Sequence, residues 1–246
     1  MEVHAHTHTP RKKWTHYFWE FLMLFLAVFC GFLAENQREH MVEQKREKKL
    51  IKSLVSDLEA DTSRLSIIIQ ERNRRATGLD SFVLLLNRSD APAFGRYLYY
   101  FNSMATRGGI FRFTPSDGTM QQLKNAGNLR LIHNAIISDS IVAYDVVTRA
   151  YVWLNNDEED IMDTYRNIAE GVFDGRVLNT MRDENNSLFM PGYDPPMRKT
   201  EDAVFRLTYR LHMLIVFNKT LRKDARALLR KARNLLLSLK KEYHLE

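Results

Sequence analysis

Glu20 is the residue whose chemistry stands out first in this sequence. It is the one charged side chain in the segment 14–34, WTHYFWEFLMLFLAVFCGFLA. A carboxylate in so apolar a helix indicates a functional site by default, because a charge in hydrocarbon is costly. Helical spacing from that carboxylate predicts a face that also holds Ala27, Gly31 and Ala34, small residues that let a second helix approach closely. The alternative is that Glu20, near one end of the segment, reaches the lipid headgroups.

A second group with binding chemistry lies around Gly127. Lys124, Asn128 and Arg130 place two cations and an amide within seven residues, a set that could hold an anion. These groups would face the C-terminal end of the preceding helix, whose dipole repels anions. A helix-to-helix corner, in which Gly127 supplies the left-handed backbone, is therefore the favoured interpretation.

The remaining titratable groups predict surfaces or packed residues more than sites. The run Asp157–Asp160 continues to Asp163, and helical spacing places Glu159 and Asp163 on one face that could attract a cation. A solvated helix surface is the favoured interpretation. Three alternating histidines near the N-terminus could grip a divalent metal, although a flexible polar tail is the simpler explanation; they are His4, His6 and His8.

The sequence contains no motif of hydrolytic or nucleotide chemistry. Gly-x-Ser-x-Gly, a phosphate-binding glycine loop and His-Glu-x-x-His are all missing from it. Cys30 is the single cysteine, so one chain cannot form a disulfide or a cysteine metal site. We therefore expect neither an enzyme nor a cofactor, and the sequence indicates no particular small-molecule ligand.

The basic charge of the chain is concentrated in its last helix. Of the net charge of +6, the segment 219–246 carries nine Lys and Arg against three Asp and Glu. Such a helix suits anionic lipid or nucleic acid. Its leucines are better explained by burial in a bundle with a basic outer face, and export of the domain would exclude nucleic acid. No nucleic-acid partner is expected.

The segment 14–34 predicts a membrane anchor. A helix of 21 residues covers about 30 Å, the thickness of the hydrocarbon core. A signal peptide cleaved after Ala34 is the alternative, but its cleavage site would be poor. The basic collar Arg11-Lys12-Lys13 predicts a cytoplasmic N-terminus and an exported C-terminal domain.

The fold class predicted is all-α, with a transmembrane helix that continues into a long helix and an antiparallel helical bundle. We divide the chain into a flexible tail (1–13), the transmembrane helix (14–34), a polar helical stalk (35–49) and the bundle (50–246). Apolar residues at heptad spacing, with Thr62 in one gap, predict the packed face of the first bundle helix; they are Ile51, Val55, Leu58, Leu65 and Ile69.

Helix boundaries in the bundle are predicted from breakers and caps. The first helix should break at 87–92, and Thr119 to Gln122 reads as a capping box at the start of a later helix. A long helix is predicted over 134–170, and Thr200 should open the last one, which runs to Lys241.

The segment FTPSDGTMQQLKNAGNLRLIHN (113–134) resembles a box in membrane-anchored Bacteroidota proteins assigned only to domains of unknown function. In those proteins a Thr-x-x-x-Leu-Lys helix precedes a Gly-Asn-Leu-Arg-Leu-Ile turn. The N-terminus is also similar, although many members have Gly-Glu in the membrane where this chain has Trp19-Glu20. The resemblance implies a bacterial inner-membrane protein and supplies no activity. The matching residues are Thr119, Leu123, Lys124, Gly127, Asn128, Leu129, Arg130, Leu131, Ile132 and Asn134.

The sequence therefore predicts a non-enzymatic, single-pass inner-membrane protein with a helical interaction or scaffolding domain. Its partners would be the lipid bilayer and either further copies of itself or another membrane protein. A sensor is an alternative, but the tail 1–13 is too short for an output without a partner subunit. A second alternative is an accessory subunit that uses Glu20 to couple to ions or protons.

Overall fold

The computed structural model describes residues 14–107, 111–125, 127–198 and 200–245. The described residues form helices and contain no β-strand, so the predicted all-α class is confirmed. In chain order the α-helices are α1 (Trp14–Leu86), α2 (Gly95–Ala105), α3 (Gly118–Asn125), α4 (Ala135–Ala169), α5 (Gly175–Thr180) and α6 (Glu201–Glu242). Two short 3-10 helices, Ala91–Phe94 and Asn128–Leu131, precede α2 and α4.

The chain divides into two compact units, 1–49 and 50–246. In the first unit the described residues belong to α1, and its apolar part is long and apolar enough to cross a membrane. None of that apolar window is buried against the rest of the protein. The predicted tail, 1–13, lies outside the described residues.

Three long helices build the second unit, and each buries one residue every three or four positions. This heptad spacing is the signature of helices that pack along a common seam. In α1 the seam holds Ile51, Leu54, Leu58, Asp61, Leu65, Ile68, Arg72, Arg75, Leu79, Phe82 and Leu86. In α4 it holds Ile137, Ile141, Tyr144, Thr148, Tyr151, Asn155, Glu158, Met162, Tyr165 and Ala169. In α6 it holds Leu207, Leu211, Leu214, Asn218, Leu221, Ala225, Leu228, Ala232, Leu235 and Leu239.

Side-chain hydrogen bonds give the helix directions. Asp61 and Arg72 of α1 bond Tyr144 and Glu158 of α4, so these two helices run in the same direction within the bundle. Glu59 bonds Lys240, whereas Arg72 bonds Asn218, so α6 runs antiparallel to α1. Two parallel helices need a long crossover, and the segment between α1 and α4, with α2 and α3, provides it.

The predicted seam of α1 needs a correction at two positions. Thr62 and Ile69 are only half-buried, while Asp61 and Ile68, one residue earlier, take the buried positions. A pattern of apolar residues cannot assign Asp61 to the core, because this residue is charged. Its carboxylate accepts hydrogen bonds from the Tyr144 hydroxyl at 2.9 Å and the Ser116 amide at 2.8 Å, which compensates for burial. Burial and the charge of Asp61 raise the pKa of Tyr144, so this hydroxyl remains a donor.

Most predicted helix ends are confirmed. α1 ends at Leu86, directly before the predicted break, and Asn134 caps α4 by accepting from the amides of Ile136 and Ile137. The hydroxyl of Thr200 caps α6 by accepting from Ala203. The capping box at Thr119 is wrong: α3 begins at Gly118, so Thr119 lies inside the helix and its amide bonds Asp57 instead.

Candidate functional site

The anchor segment of α1 presents its apolar side chains outward. Trp14, Phe21 and Val28 are 81%, 66% and 74% exposed. A contiguous apolar surface of this kind is typical of a segment that contacts a membrane or another protein. Within this unit, a side-chain atom added at Gly31 would meet nothing within 4 Å, so the small-residue face is open to a neighbouring helix. Ala27 and Ala34 are also exposed.

Glu20 lies on the anchor segment beside His16. One carboxylate oxygen of Glu20 is 3.0 Å from Nε2 of His16, one helical turn earlier, and both side chains are about half exposed. Ionisable side chains in apolar helices usually pair with one another, and this contact is such a pair. The sequence interpretation missed this pair, although the spacing of four residues could have indicated it.

The opposite side of the anchor segment carries stacked aromatic rings. Phe21 and Phe25 stack with ring centroids 6.2 Å apart, and Phe25 stacks on Phe29 at 5.9 Å. The steps of four residues place these rings on a different face from the small residues. The anchor thus has a bulky aromatic side and a side of small residues with one carboxylate.

In the bundle, the structure brings together a charged group that the sequence interpretation did not predict. Arg72, Arg75 and Glu158 are 0%, 1% and 3% exposed and lie at seam positions of α1 and α4. The Glu158 carboxylate accepts from Nη2 of Arg72 at 2.8 Å and from Nη1 of Arg75 at 2.6 Å. Asn218 joins from α6 by donating to the carbonyl oxygen of Arg72 at 3.1 Å. We call this set, with Asn155 of α4, the buried charge layer.

The two guanidinium groups also bind the last residue of α2 and a residue in the middle of the segment between α2 and α3. Arg75 donates to the carbonyl oxygen of Ala105 at 2.9 Å, and Arg72 donates to that of Phe111 at 3.4 Å. The Phe111 ring lies 4.7 Å from the Arg75 guanidinium carbon and 5.4 Å from that of Arg72, within cation–π range. The amide of Phe113 donates to Asn155 at 3.0 Å.

Electrostatics favour the charged form of Glu158 in the buried charge layer. Burial opposes the charged form of Glu158, but hydrogen bonds and positive charge from Arg72 and Arg75 outweigh it and lower the pKa of this carboxyl. Burial lowers the pKa of Arg75, although Glu158 opposes that shift. Two cations against one anion leave one positive charge in excess, and the carbonyl oxygens and the Phe111 ring offset part of it.

This layer separates two apolar clusters of the core. One cluster includes Ile51, Leu65 and Leu228, and the other includes Phe82 and Leu211. Since the arginines are almost completely buried, the layer is a structural element and not a site that a substrate reaches. Buried polar groups at heptad positions favour one register over its alternatives.

Around Gly127 the structure has a turn between α3 and α4, as the corner interpretation predicted. Gly127 has φ +62°, the left-handed conformation that the sequence predicted. The buried Asn128 side chain donates to the carbonyl oxygen of Gln122 at 2.9 Å. Lys124 bonds the carboxylate of Asp145 at 3.0 Å, and Arg130 is exposed. The Lys124 ammonium therefore has an internal anion as its partner.

The acidic run of α4 differs from the predicted solvated surface. Glu158, in the middle of the run, is buried in the charge layer. Glu159 and Asp163 share a face as predicted, and the cation between them is Arg166, whose Nη1 bonds both carboxylates. In the parts of the chain that the structure describes, no group of three or more His, Cys, Asp or Glu side chains is placed to hold a metal ion.

The leucines of α6 pack into the core while its cations face outward. Leu221, Leu228 and Leu239 are completely buried. Packing accounts for these leucines, so this apolar face is not available to a lipid surface. The exposed cations along the same helix are Arg206, Lys219, Lys223, Arg226, Arg230, Lys231, Arg233 and Lys241.

These features define the class of protein: over the residues that the structure describes, it is all-α, with one candidate membrane span and a helical bundle that encloses the buried charge layer. No family model, curated protein or solved structure matches the chain. The class therefore rests on the described helices and their contacts.

Proposed function

We propose that this chain is a single-pass membrane protein whose anchor associates with another membrane helix, and whose bundle acts as an interaction or scaffolding module. The observation that carries this proposal is the exposed small-residue face of the anchor, with open space at Gly31. Helices in lipid associate mainly by close packing, and small residues permit the shortest approach between backbones. The partner is a second copy of the chain or another membrane protein.

The proposed location is a bacterial inner membrane, with the N-terminus in the cytoplasm and the bundle exported. The basic collar Arg11-Lys12-Lys13 and the resemblance of 113–134 to Bacteroidota membrane proteins support it. Fusions of periplasmic and cytoplasmic reporters to the C-terminus test the topology. If only the cytoplasmic reporter is active, the C-terminus lies in the cytoplasm and the proposed orientation is wrong.

The proposed role is not enzymatic. The strongest cluster of titratable side chains among the described residues is buried inside the bundle, where Arg72 and Arg75 both bond Glu158. Side chains that perform chemistry need access to a substrate, and these have none. The proposal therefore assigns binding, not turnover, to the bundle.

Substitution of Gly31 tests the association face. Gly31→Leu fills the open space, and we expect it to shift the detergent-solubilised protein from oligomer toward monomer in native mass spectrometry. Cys30→Leu is the matched control, because it adds bulk to the next residue, about 100° around the helix. A monomer in both the wild type and Gly31→Leu, together with no crosslinked partner in native membranes, would contradict the proposal.

A second function, coupling to protons or ions as an accessory subunit, is favoured by the contact between His16 and Glu20. Two titratable side chains in contact on an apolar helix could exchange a proton. Glu20→Gln, introduced into the cell in place of the wild type, separates the two functions. If the variant assembles normally but the cells show the phenotype of a deletion, proton or ion coupling is favoured. If the variant behaves as the wild type does, a contact between Glu20 and the lipid headgroups is favoured.

A further inference from the structure

The outer side of α6 carries a row of five exposed cations. They are Lys219, Lys223, Arg226, Arg230 and Arg233. Their positions are alternately four and three residues apart, so they form one straight row along the helix, about 21 Å long. The buried seam of α6 lies on the other side of the helix. The row therefore faces away from the core of the bundle.

The row has no acidic partner within the described part of the chain. One acidic residue, Asp224, occurs between positions 203 and 241, and it is half-buried. Among the described residues the ion pairs of α6 lie beyond the two ends of the row. Arg226 donates at 3.4 Å to the side chain of Asn73, which is neutral. Since like charges three or four residues apart destabilise a helix, an anionic partner would stabilise this one.

The same line of positions continues into exposed apolar residues at both ends. Tyr209 and Val216 precede the row and are 56% and 42% exposed, and Leu237 follows it and is 66% exposed. The remaining position, His212, is exposed as well. From 209 to 237 the steps alternate between three and four residues without a break, as the core positions of a coiled coil do. We call these positions, with the five cations, the outer stripe of α6.

The spacing favours a helix as the partner of this stripe. A second helix can follow the stripe along its whole length, because both helices have the same rise per residue. Such a helix would carry carboxylates opposite the five cations and apolar residues opposite Tyr209, Val216 and Leu237. A bilayer fits less well. A helix that lies on a membrane needs apolar residues along one whole face, whereas this stripe has them at its two ends.

The α6 helix of a second copy does not fit as this partner. Two outer stripes that met would bring the cations of one row against those of the other, in a parallel pair and equally in an antiparallel pair centred on the row. Like charges repel, and the repulsion would act along the whole row. The complement of the stripe is therefore an acidic helix, which indicates a different protein.

We propose that the outer stripe of α6 binds an acidic amphipathic helix of another protein, whose carboxylates recur at heptad spacing. The inference rests on the role proposed above for the bundle, that of an interaction module, and names the surface and the class of partner. It does not involve the anchor face. The two contacts can therefore be removed separately.

A synthetic helical peptide tests the proposal. It carries Glu at the heptad positions that face the row and Leu at those that face the two apolar ends. A second peptide of the same composition has its Glu residues spread around all sides of the helix. Binding to the full-length protein in phosphatidylcholine nanodiscs is measured by fluorescence anisotropy. We expect the dissociation constant of the second peptide to be higher on the order of tenfold, because only the first aligns its charges with the row. Equal binding of the two peptides, or no binding of either, would overturn the proposal.

Arg230→Glu and Lys231→Glu are matched charge reversals. Both residues are exposed cations, but Lys231 lies about 100° around the helix from Arg230 and outside the stripe. We expect Arg230→Glu to raise the dissociation constant of the first peptide on the order of tenfold, and Lys231→Glu to raise it about twofold or less. A peptide with Lys opposite position 230 should restore binding to Arg230→Glu. Equal effects of the two reversals, or no restoration, would contradict the stripe as the binding surface.

Two further measurements separate this contact from lipid binding and from the anchor. Vesicles of phosphatidylglycerol should leave the first peptide bound. If they displace it while phosphatidylcholine vesicles do not, the stripe is a lipid-binding surface and the proposal is wrong. The Gly31→Leu protein should bind the peptide as the wild type does, because the stripe lies in the bundle. Failure of the anchor association and failure of peptide binding are thus distinguishable.

Discussion

The two parts of α1, the anchor segment and the bundle segment, differ in which side chains they bury and which they expose. In the anchor segment, 14–34, apolar residues are exposed and the one carboxylate lies near the surface. In the bundle segment, 50–86, apolar residues are buried, and so are Arg72 and Arg75. Both segments are continuous helix, so the local backbone does not explain the difference.

The contrast shows where each segment finds its partners. The charges of the bundle are paired within the chain, by Glu158 and by backbone carbonyl oxygens. The apolar and small residues of the anchor segment are exposed, and under the function proposed above lipid or another helix covers them. Substitutions of similar chemistry in the two segments should therefore have very different effects on the stability of the bundle.

The largest effect is expected when the two glutamates are compared. Glu158→Gln removes the anion between two buried guanidinium groups, and we expect the free energy of unfolding to fall by about 3–5 kcal/mol. Glu20→Gln should leave it unchanged, because the contact of Glu20 lies in the anchor. Chemical denaturation in detergent, followed by circular dichroism, measures both.

Glu159→Gln is the matched control for Glu158, since this neighbouring carboxylate is partly exposed and bonds only one arginine among the described contacts, Arg166. We expect a loss below about 1 kcal/mol. Equal losses for the two substitutions would show that the buried charge layer contributes nothing special to stability.

The pH dependence of the free energy of unfolding should also show the contribution of Glu158. The pKa of Glu158 is lowered in the folded protein from 4.5, so the unfolded chain takes up a proton first as the pH falls. Its contribution is complete above the unfolded pKa and is lost as the pH falls through the folded pKa. Wild type should thus lose more stability than Glu158→Gln between pH 5 and 3. Parallel curves would contradict this assignment.

The next comparison is between Gly95 in the bundle and Gly31 in the anchor segment. A side-chain carbon at Gly95 would lie 2.3 Å from the carbonyl oxygen of Pro195, so Gly95→Ala must displace backbone. We expect a loss of about 1–3 kcal/mol in the free energy of unfolding. Gly31→Ala meets open space within the anchor and should leave the unfolding of the bundle unchanged. A neutral Gly95→Ala would show that the loop at Pro195 yields easily.

The smallest effects separate the two interpretations of the corner. Asn128→Ala removes a buried hydrogen bond to Gln122 and should cost about 1 kcal/mol of unfolding free energy. Arg130→Ala, at an exposed position, should change the melting temperature very little. If inorganic phosphate stabilises the wild type and Arg130→Ala abolishes that effect, the anion contact is the correct interpretation.

Sequence alone predicted the three long helices α1, α4 and α6, since the signals that begin and end them are local. The break after Leu86, the start of α6 at Thr200 and the left-handed Gly127 follow from residue types at particular positions. The exact buried register did not follow from these signals. An apolar pattern assigns Ile69 to the core and cannot assign Asp61 or Arg72, whose burial depends on partners far along the chain.

The sequence by itself thus determined an all-α chain with an N-terminal helix long and apolar enough to span a membrane, because length and hydrophobicity are local properties. Only the tertiary structure placed Glu158 between Arg72 and Arg75, more than 80 residues away along the chain. Burying these charges is favourable only when all three meet, since each alone would carry the cost of desolvation without a counter-charge. That condition is a property of the packed helices, and no segment of the sequence carries it alone.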